Sequence, residues 1–439
     1  MKEDEKDMRK LILLLCCFLL IIPLDAWGDT AENHLKAAFI RNGYLWIKTG
    51  AAEEQITAEP GNFTNTPKWS YDGQWLLYEK KSQEPHSPEM ENSTEIWVYN
   101  VKSKVHKRIF QGGGNAKWAP SDYRIAFTSN GVLNISDLNQ FYNIALGVDD
   151  YNWYPDGKGF ILSSSAVLKP DGWTSPILYK VQLPEQLEDM NLTQHVKPIF
   201  TIPKKIGNGK ASIMSINATT LEFSPDGKWI SFIVSPTASL AMDSDMVCVI
   251  SPDGKNFEVL DEMILHLDVP KWAPGRNLLG YIAGGGRIVM GFKNKKLKVA
   301  ELPAFKTLNL TPAKFAEMGF TWVDNERLVA SRVDESEWSN DPQRRPEPTL
   351  CLIQLNKTQQ TRITYPKNSI GDYNPLYMKM AGKLTWVRKK LAQQKGDIWV
   401  AELSGKNAKV WAKDVEQYSF YENSGQKSGS LMESLFVSV

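Results

Sequence analysis

Cysteine is scarce in this chain, with four in 439 residues, and two of them, Cys16 and Cys17, lie inside an N-terminal apolar run. The other two, Cys248 and Cys351, fall in the strand-like segments MVCVI and TLCLIQL, far apart in sequence. Those segments belong to non-neighbouring units of the repeat described below, so their Cα atoms should lie beyond the ~7 Å that a disulfide bridges. Packing rather than cross-linking must hold the fold. Histidine is sparse as well: His34, His86, His106, His195 and His266 show no H-E-x-x-H pattern and no Cys–His spacing, which removes the recognised zinc sites. No G-x-S-x-G nucleophile turn occurs, and the triple glycines at 112–114 and 284–286 lie between strands instead of opening a phosphate-binding loop. Excess charge is missing too. With 51 Lys and Arg against 50 Asp and Glu, no global field gathers nucleic acid or an anionic membrane surface.

Long apolar runs are limited to Leu11–Leu24, LILLLCCFLLIIPL, behind Met8-Arg9-Lys10. The run is shorter than the ~20 residues a spanning helix needs. Ala26-Trp27-Gly28 offers small residues at the two positions a signal peptidase inspects. Residues 1–28 are therefore predicted to be an export signal cut after Gly28, leaving a mature chain without a membrane span, secreted or held in the cell envelope. A retained anchor and a lipid-modified Cys16 or Cys17 are the alternatives.

What the chain has in abundance is one recurring phrase, an aromatic residue leading through a tight polar turn into an apolar strand. Clear copies are WSYDGQWLLY from Trp69, WYPDGKGFIL from Trp153 and FSPDGKWISF from Phe223. Looser ones begin at Trp118, Trp272 and Trp322, with a degraded copy at Pro375. The six aromatic starts lie 49, 35, 70, 49 and 50 residues apart, and units of that length built from short strands mark the blades of a propeller. Proline at the second turn position and glycine at the fourth suit a type I turn, so Asp72, Asp156 and Asp226 are read as caps of their own turns. The phrase resembles the TolB-like β-propeller repeat, with the likeness running over residues 37–422. That resemblance implies a fold more firmly than an activity, since similar repeats occur in TolB, in propeller domains of oligopeptidase-type peptidases and in many secreted proteins. TolB carries a further N-terminal α/β domain, whereas here about nine residues lie between the predicted cleavage site after Gly28 and the first strand.

Within each unit the motif aromatic ends strand A, the apolar run is B, and segments such as IWVYNV and DIWVAEL are C. The predicted fold is all-β, a propeller of four-stranded antiparallel blades over 29–426 with a C-terminal tail at 427–439. Strands at 37–41, 44–48 and 54–57 lack an A strand, which EQYSFYENSGQ (416–426) would supply. The count is then eight blades closed by both chain ends, or seven if the N-terminal strands stand apart.

In such a meander the A–B and C–D turns share one rim, and the B–C and D–A connections share the other. Long B–C loops at 80–93, 163–176, 235–246 and 334–348, with a D–A connection near 203–218, all fall on the second rim. Loops of this length in a compact domain usually carry function, so that rim is the predicted binding face. Its candidate binding residues are Glu84, Glu89, Trp173, Asp243, Asp245, Asp334, Glu337, Trp338, Arg344 and Arg345. The tryptophans bind a partner if exposed and are structural if tucked onto their loops. Basic loops at 293–298 and 388–395 read as solvated edges. The sequence thus favours an exported, non-catalytic, monomeric propeller that binds a protein or cell-envelope polymer and holds no cofactor or metal. Calcium is the one ion that the acidic loops would suit. The alternatives are a propeller enzyme of lyase or hydrolase type, with Asp149, Asp150 and Tyr151 as funnel candidates, and a sensor domain that modulates an envelope enzyme.

Overall fold

The computed structural model describes residues 34–422 apart from 83–92, 208, 210, 238–243, 265–266, 286–290, 358–359 and 368. Its strands pair in chain order as antiparallel meanders, and the β-propeller fold follows from them. Lys68–Trp69, Trp75–Lys81, Thr94–Asn100 and Val105–Gln111 form one such sheet in the order A, B, C, D. The A strands of the following units are Gly114–Trp118, Asp150–Trp153, Asn217–Phe223, Lys271–Trp272, Phe315–Trp322 and Gly371–Met378. Six four-stranded sheets stand alone, and an eight-stranded one arises where Met263 pairs with Ala283 across two repeats.

The fourth strand of the first sheet comes from the other end of the chain. Gln417–Phe420 runs antiparallel to Lys36–Arg41, with Ala37 opposite Phe420 and Ile40 opposite Gln417, as the sequence anticipated. Apolar residues alternate along the strands, and each sheet buries its faces against its two neighbours, so the core is divided into clusters between sequence-adjacent sheets. One cluster joins Ile161 and Leu178 to Phe232 and Cys248, and another joins Val387 and Ile398 of the last sheet to Ala37 and Phe39 of the first. Cys248 and Cys351 are buried free thiols.

The motif turns are built as their residues dictate. Asp72 Oδ1 accepts from the Ser70 hydroxyl (2.7 Å) and the Gln74 N–H (3.1 Å), while the Trp75 N–H donates to Ser70 Oγ (2.9 Å). Ser224, Asp226, Lys228 and Trp229 repeat the pattern, and Asp156 accepts from the Lys158 N–H (3.0 Å). The left-handed φ of +68° at Gly73 suits glycine, and a Cβ there would meet the Tyr421 ring at 2.7 Å. A further copy, Ser251–Gly254, closes a C–D turn on the same rim with the same bonds.

The recurrence of tryptophan has its own cause. A buried indole must place its N–H on an acceptor, and here each acceptor is a backbone carbonyl of the preceding sheet. Trp69 donates to Ser419 O (3.2 Å), Trp118 to Lys68 O (3.0 Å), Trp153 to Lys117 O (3.4 Å), Trp272 to Glu222 O (3.2 Å) and Trp322 to Lys271 O (2.8 Å). The residue before the aromatic reaches the opposite way. Lys68 Nζ donates to Ala116 O (3.0 Å), Lys117 to Tyr151 O (2.7 Å), Asn152 Nδ2 to Leu221 O (2.8 Å) and Lys271 to Phe320 O (2.6 Å). Two side chains lace the A strands at the 69/118, 118/153 and 272/322 junctions, and one does so at 153/223 and at 223/272.

Candidate functional site

The long-loop rim divides into a part that neutralises itself and a part that does not. Glu84, Glu89 and Asp243 lie outside the described residues. Asp245 is not a surface ligand: strand Ser244–Ile250 begins one residue before it, and its side chain is buried at 1% exposure opposite Met263. Asp334 ends strand Arg327–Asp334 exposed. Glu335 pairs with Lys296 (2.6 Å), Glu337 with Lys293, and Arg344 with Asp341 (3.6 Å). Trp338 is half-buried, stacked on Phe292 of the neighbouring unit at 6.2 Å and capped by the Arg345 guanidinium at 3.9 Å. Arg345 Nε also donates to Ser339 O (2.7 Å). Phe292, Trp338 and Leu391 bring the B–C loops of three successive units into one apolar clasp.

Lys295 corrects the reading of the 293–298 loop as a solvated edge. It is 7% exposed, and burial pushes its ammonium down to about 8. Its Nζ approaches the carbonyl oxygens of Gly291 and Lys293. Nearby, Glu347, Tyr373 and Lys389 meet between two sheets, with the Tyr373 hydroxyl donating to Glu347 Oε2 (3.4 Å) and Lys389 Nζ 5.6 Å from the Tyr373 ring. Burial pushes the Glu347 and Tyr373 groups up and the Lys389 ammonium down, so each is driven toward its neutral form. Sequence reasoning missed this cluster because its members come from one loop and two strands with no shared motif.

The funnel candidates resolve into distinct roles. Asp150 Oδ2 accepts the Thr220 N–H (2.7 Å), its Oδ1 accepts from Asn115 Nδ2 (3.2 Å), and Lys117 Nζ stands 3.8 Å away. Two other carboxylates do the same for the A strand of the next unit: buried Glu79 accepts the Ala116 N–H (2.9 Å) and half-buried Asp268 the Phe320 N–H (3.0 Å). These A strands carry bulges, with left-handed φ values of +52° at Asn115, +59° at Thr220 and +155° at Gly319. A bulge frees a buried N–H from the ladder, and an inward carboxylate satisfies it. Asp150 is thus one member of a structural series that includes Glu79 and Asp268, which the sequence reading passed over. Tyr151 is buried with its hydroxyl 2.6 and 2.7 Å from the carbonyls of Asn115 and Ala126. Asp149 differs: its Oδ2 is buried without a hydrogen-bond partner, and burial, with the Asp150 charge beside it, holds its carboxyl above the ordinary range against the Ser165 hydroxyl.

Among the described residues no group of three His, Cys, Asp or Glu side chains is arranged to hold a metal ion. His106 binds the Tyr78 hydroxyl (2.9 Å) and Ile56 O (2.8 Å), a packing role. No helix among the described residues is long and apolar enough to cross a membrane.

Trp173 sits half-buried in a hairpin, Leu168–Lys169 against Gly172–Trp173, within the 163–176 loop. A second hairpin, Lys205–Gly207 against Ser212–Met214, occupies the D–A connection beside it. The Ala166 N–H, just before the first hairpin, donates to Ile216 O (2.7 Å), just after the second.

No family model matches the chain, and no curated protein matches it in sequence. Solved structures do match in shape. A dipeptidyl peptidase 4 from Porphyromonas gingivalis aligns over 88% of this chain and 59% of its own, at 10% identity and a TM-score of 0.56. The dihydro-heme d1 dehydrogenase NirN aligns over 91% and 76%, at 13% identity and a TM-score of 0.55. TolB from Acinetobacter baumannii aligns over 64% and 65%, at 17% identity and a TM-score of 0.37. The chain spans about three fifths of the peptidase's length, and at these identities the likeness shows the fold alone.

Proposed function

We propose that this chain is an exported, TolB-like propeller of eight blades, freed of residues 1–28, that binds a protein or cell-envelope polymer through its long-loop rim. The carrying observation is the difference between the rims: stapled short turns on one, and on the other the 163–176, 203–218 and 334–348 segments with their aromatic and charged side chains. Crosslinking of the intact exported protein in its native envelope, followed by identification of captured partners, tests this reading. Shortening 334–348 should abolish or change the captured set, and an unchanged set overturns the rim assignment.

A second reading, an axial-funnel enzyme, is favoured by Asp149, whose raised carboxyl and partnerless oxygen suit a general acid. Alanine at both Asp149 and Asp150 that leaves every tested turnover intact removes it.

A further inference from the structure

The two hairpins on the long-loop rim combine exposed apolar side chains with lysines. Val167, Leu168 and Met214 are exposed at 58%, 62% and 48%, against a core in which such side chains are almost wholly covered. The second hairpin faces two ways, burying Ile206 and Ile213 in the core cluster beneath it while Lys205, Ser212 and Met214 point outward. An open groove of about 410 Å³ runs along it, lined by Lys205, Ile206, Gly207, Ala211 and Ser212.

The charge is one-sided. Lys169, Lys204 and Lys205 are exposed, and none has an ion-pair partner among the described residues, whereas every basic group of the 334–348 loop is engaged. Asp171, at the tip of the first hairpin, is the acidic residue set against them. Each hairpin is a two-stranded sheet, so its outer N–H and C=O groups form edges of the kind an extended chain joins.

We propose that this double hairpin captures an extended acidic peptide segment as an added strand. Its alternate apolar side chains lie on Val167, Leu168 and Met214, and its carboxylates face Lys169, Lys204 and Lys205. Apolar contact and an edge ladder supply affinity, and the lysines choose the sign of the partner. The proposal rests on the rim reading and narrows it to one patch and one partner chemistry.

Fluorescence anisotropy on the mature protein tests it with three labelled peptides: alternating Glu-Val, alternating Lys-Val, and the Glu-Val peptide interrupted by proline. The Glu-Val peptide should bind, weaken with added salt, and lose about tenfold or more in affinity in both K204E/K205E and M214D, whose melting temperatures stay near wild type. The proline-interrupted peptide should bind worse, because proline removes the ladder donor. Equal binding of the two charge patterns, indifference to both variants, or retention on phosphatidylglycerol vesicles with no peptide binding overturns the proposal. Envelope capture that is lost on shortening 334–348 while K204E/K205E changes nothing removes the hairpin site and leaves the rim reading standing.

Discussion

The turn rim and the long-loop rim are made by the same strands, yet they are built on opposite principles. On the turn rim, short Asp-Gly turns recur with the same bonds and reach across sheet boundaries. The Tyr123 hydroxyl donates to Asp72 Oδ2 (2.5 Å), Asn277 Nδ2 to Asp226 Oδ2 (2.9 Å) and Arg124 to Gly157 O (3.1 Å). On the long-loop rim the B–C connections range from the two-residue turns Asn42-Gly43 and Asn130-Gly131 to the loop over 335–348, and the contacts there are clasps of unlike residues such as Phe292–Trp338–Arg345. Repetition marks what every sheet needs in order to join the next. Irregularity marks where each sheet differs, which is where a specific partner can be read.

The comparison breaks most sharply at the joint between the chain ends. Deleting residues 416–439 removes the fourth strand of the first sheet, the Trp69–Ser419 bond and the buried Tyr418, and the expected outcome is loss of the cooperative thermal transition in scanning calorimetry. Next comes the buried pair on the inner side of the 315–334 hairpin. Glu317 is 0% exposed and binds Arg332 and the Thr311 hydroxyl, so Glu317→Ala leaves an uncompensated guanidinium. The expected loss is about 3–5 kcal/mol by urea unfolding.

A smaller effect is expected from the lacing of the A strands. Trp118→Phe keeps a ring but removes the indole N–H that donates to Lys68 O, for an expected loss of about 1–2 kcal/mol. If Trp118→Phe melts with wild type, the indoles are fillers and the periodic tryptophan needs another explanation.

Acid should weaken the turn rim. Burial pushes the Asp72 and Asp226 carboxyls up, but hydrogen bonds from Tyr123 and Ser70, and from Asn277 and Ser224, outweigh it and leave both below their ordinary range. A carboxyl lowered in the folded state stabilises above its unfolded value of about 4 and loses that contribution as pH falls through the folded value. The melting temperature should therefore drop on acidification below about pH 4, and the drop should be shallower in D72N/D226N. Smallest of all, Arg344→Ala should shift stability by no more than about 0.5 kcal/mol, since its pair with Asp341 is exposed, and yet it should reduce envelope capture.

How much of this was legible in the sequence follows from what a repeat can encode. The strand layout, the turn caps at Asp72, Asp156 and Asp226, the strand donated by 417–420 and the two buried thiols were read from residues alone, because each rests on local pattern or on periodicity. The reason for the tryptophans was not, since it depends on a carbonyl about 50 residues away that no local pattern reports. Asp245 was misplaced because strand Ser244–Ile250 starts earlier than the polar run SPTASLAMDSD suggests. Lys295 looked like solvent-facing charge in KNKKLK, and only the packing of neighbouring units covers it. The Glu79, Asp150 and Asp268 series stayed hidden because the bulges that need those carboxylates are visible only as backbone geometry.

The strand at 417–420 also sets a schedule. Trp69 and Ser419 are 350 residues apart in sequence, so the first sheet to be synthesised stays incomplete until nearly the whole described chain has been made. Every other sheet draws its strands from one local stretch and can assemble as it emerges, whereas this one must wait with an open flank while the Trp69 indole of the next sheet waits for its Ser419 acceptor. Refolding rates should therefore be governed by the search of the two distant ends for each other, and a circular permutant that joins them and opens elsewhere should refold faster than the natural order.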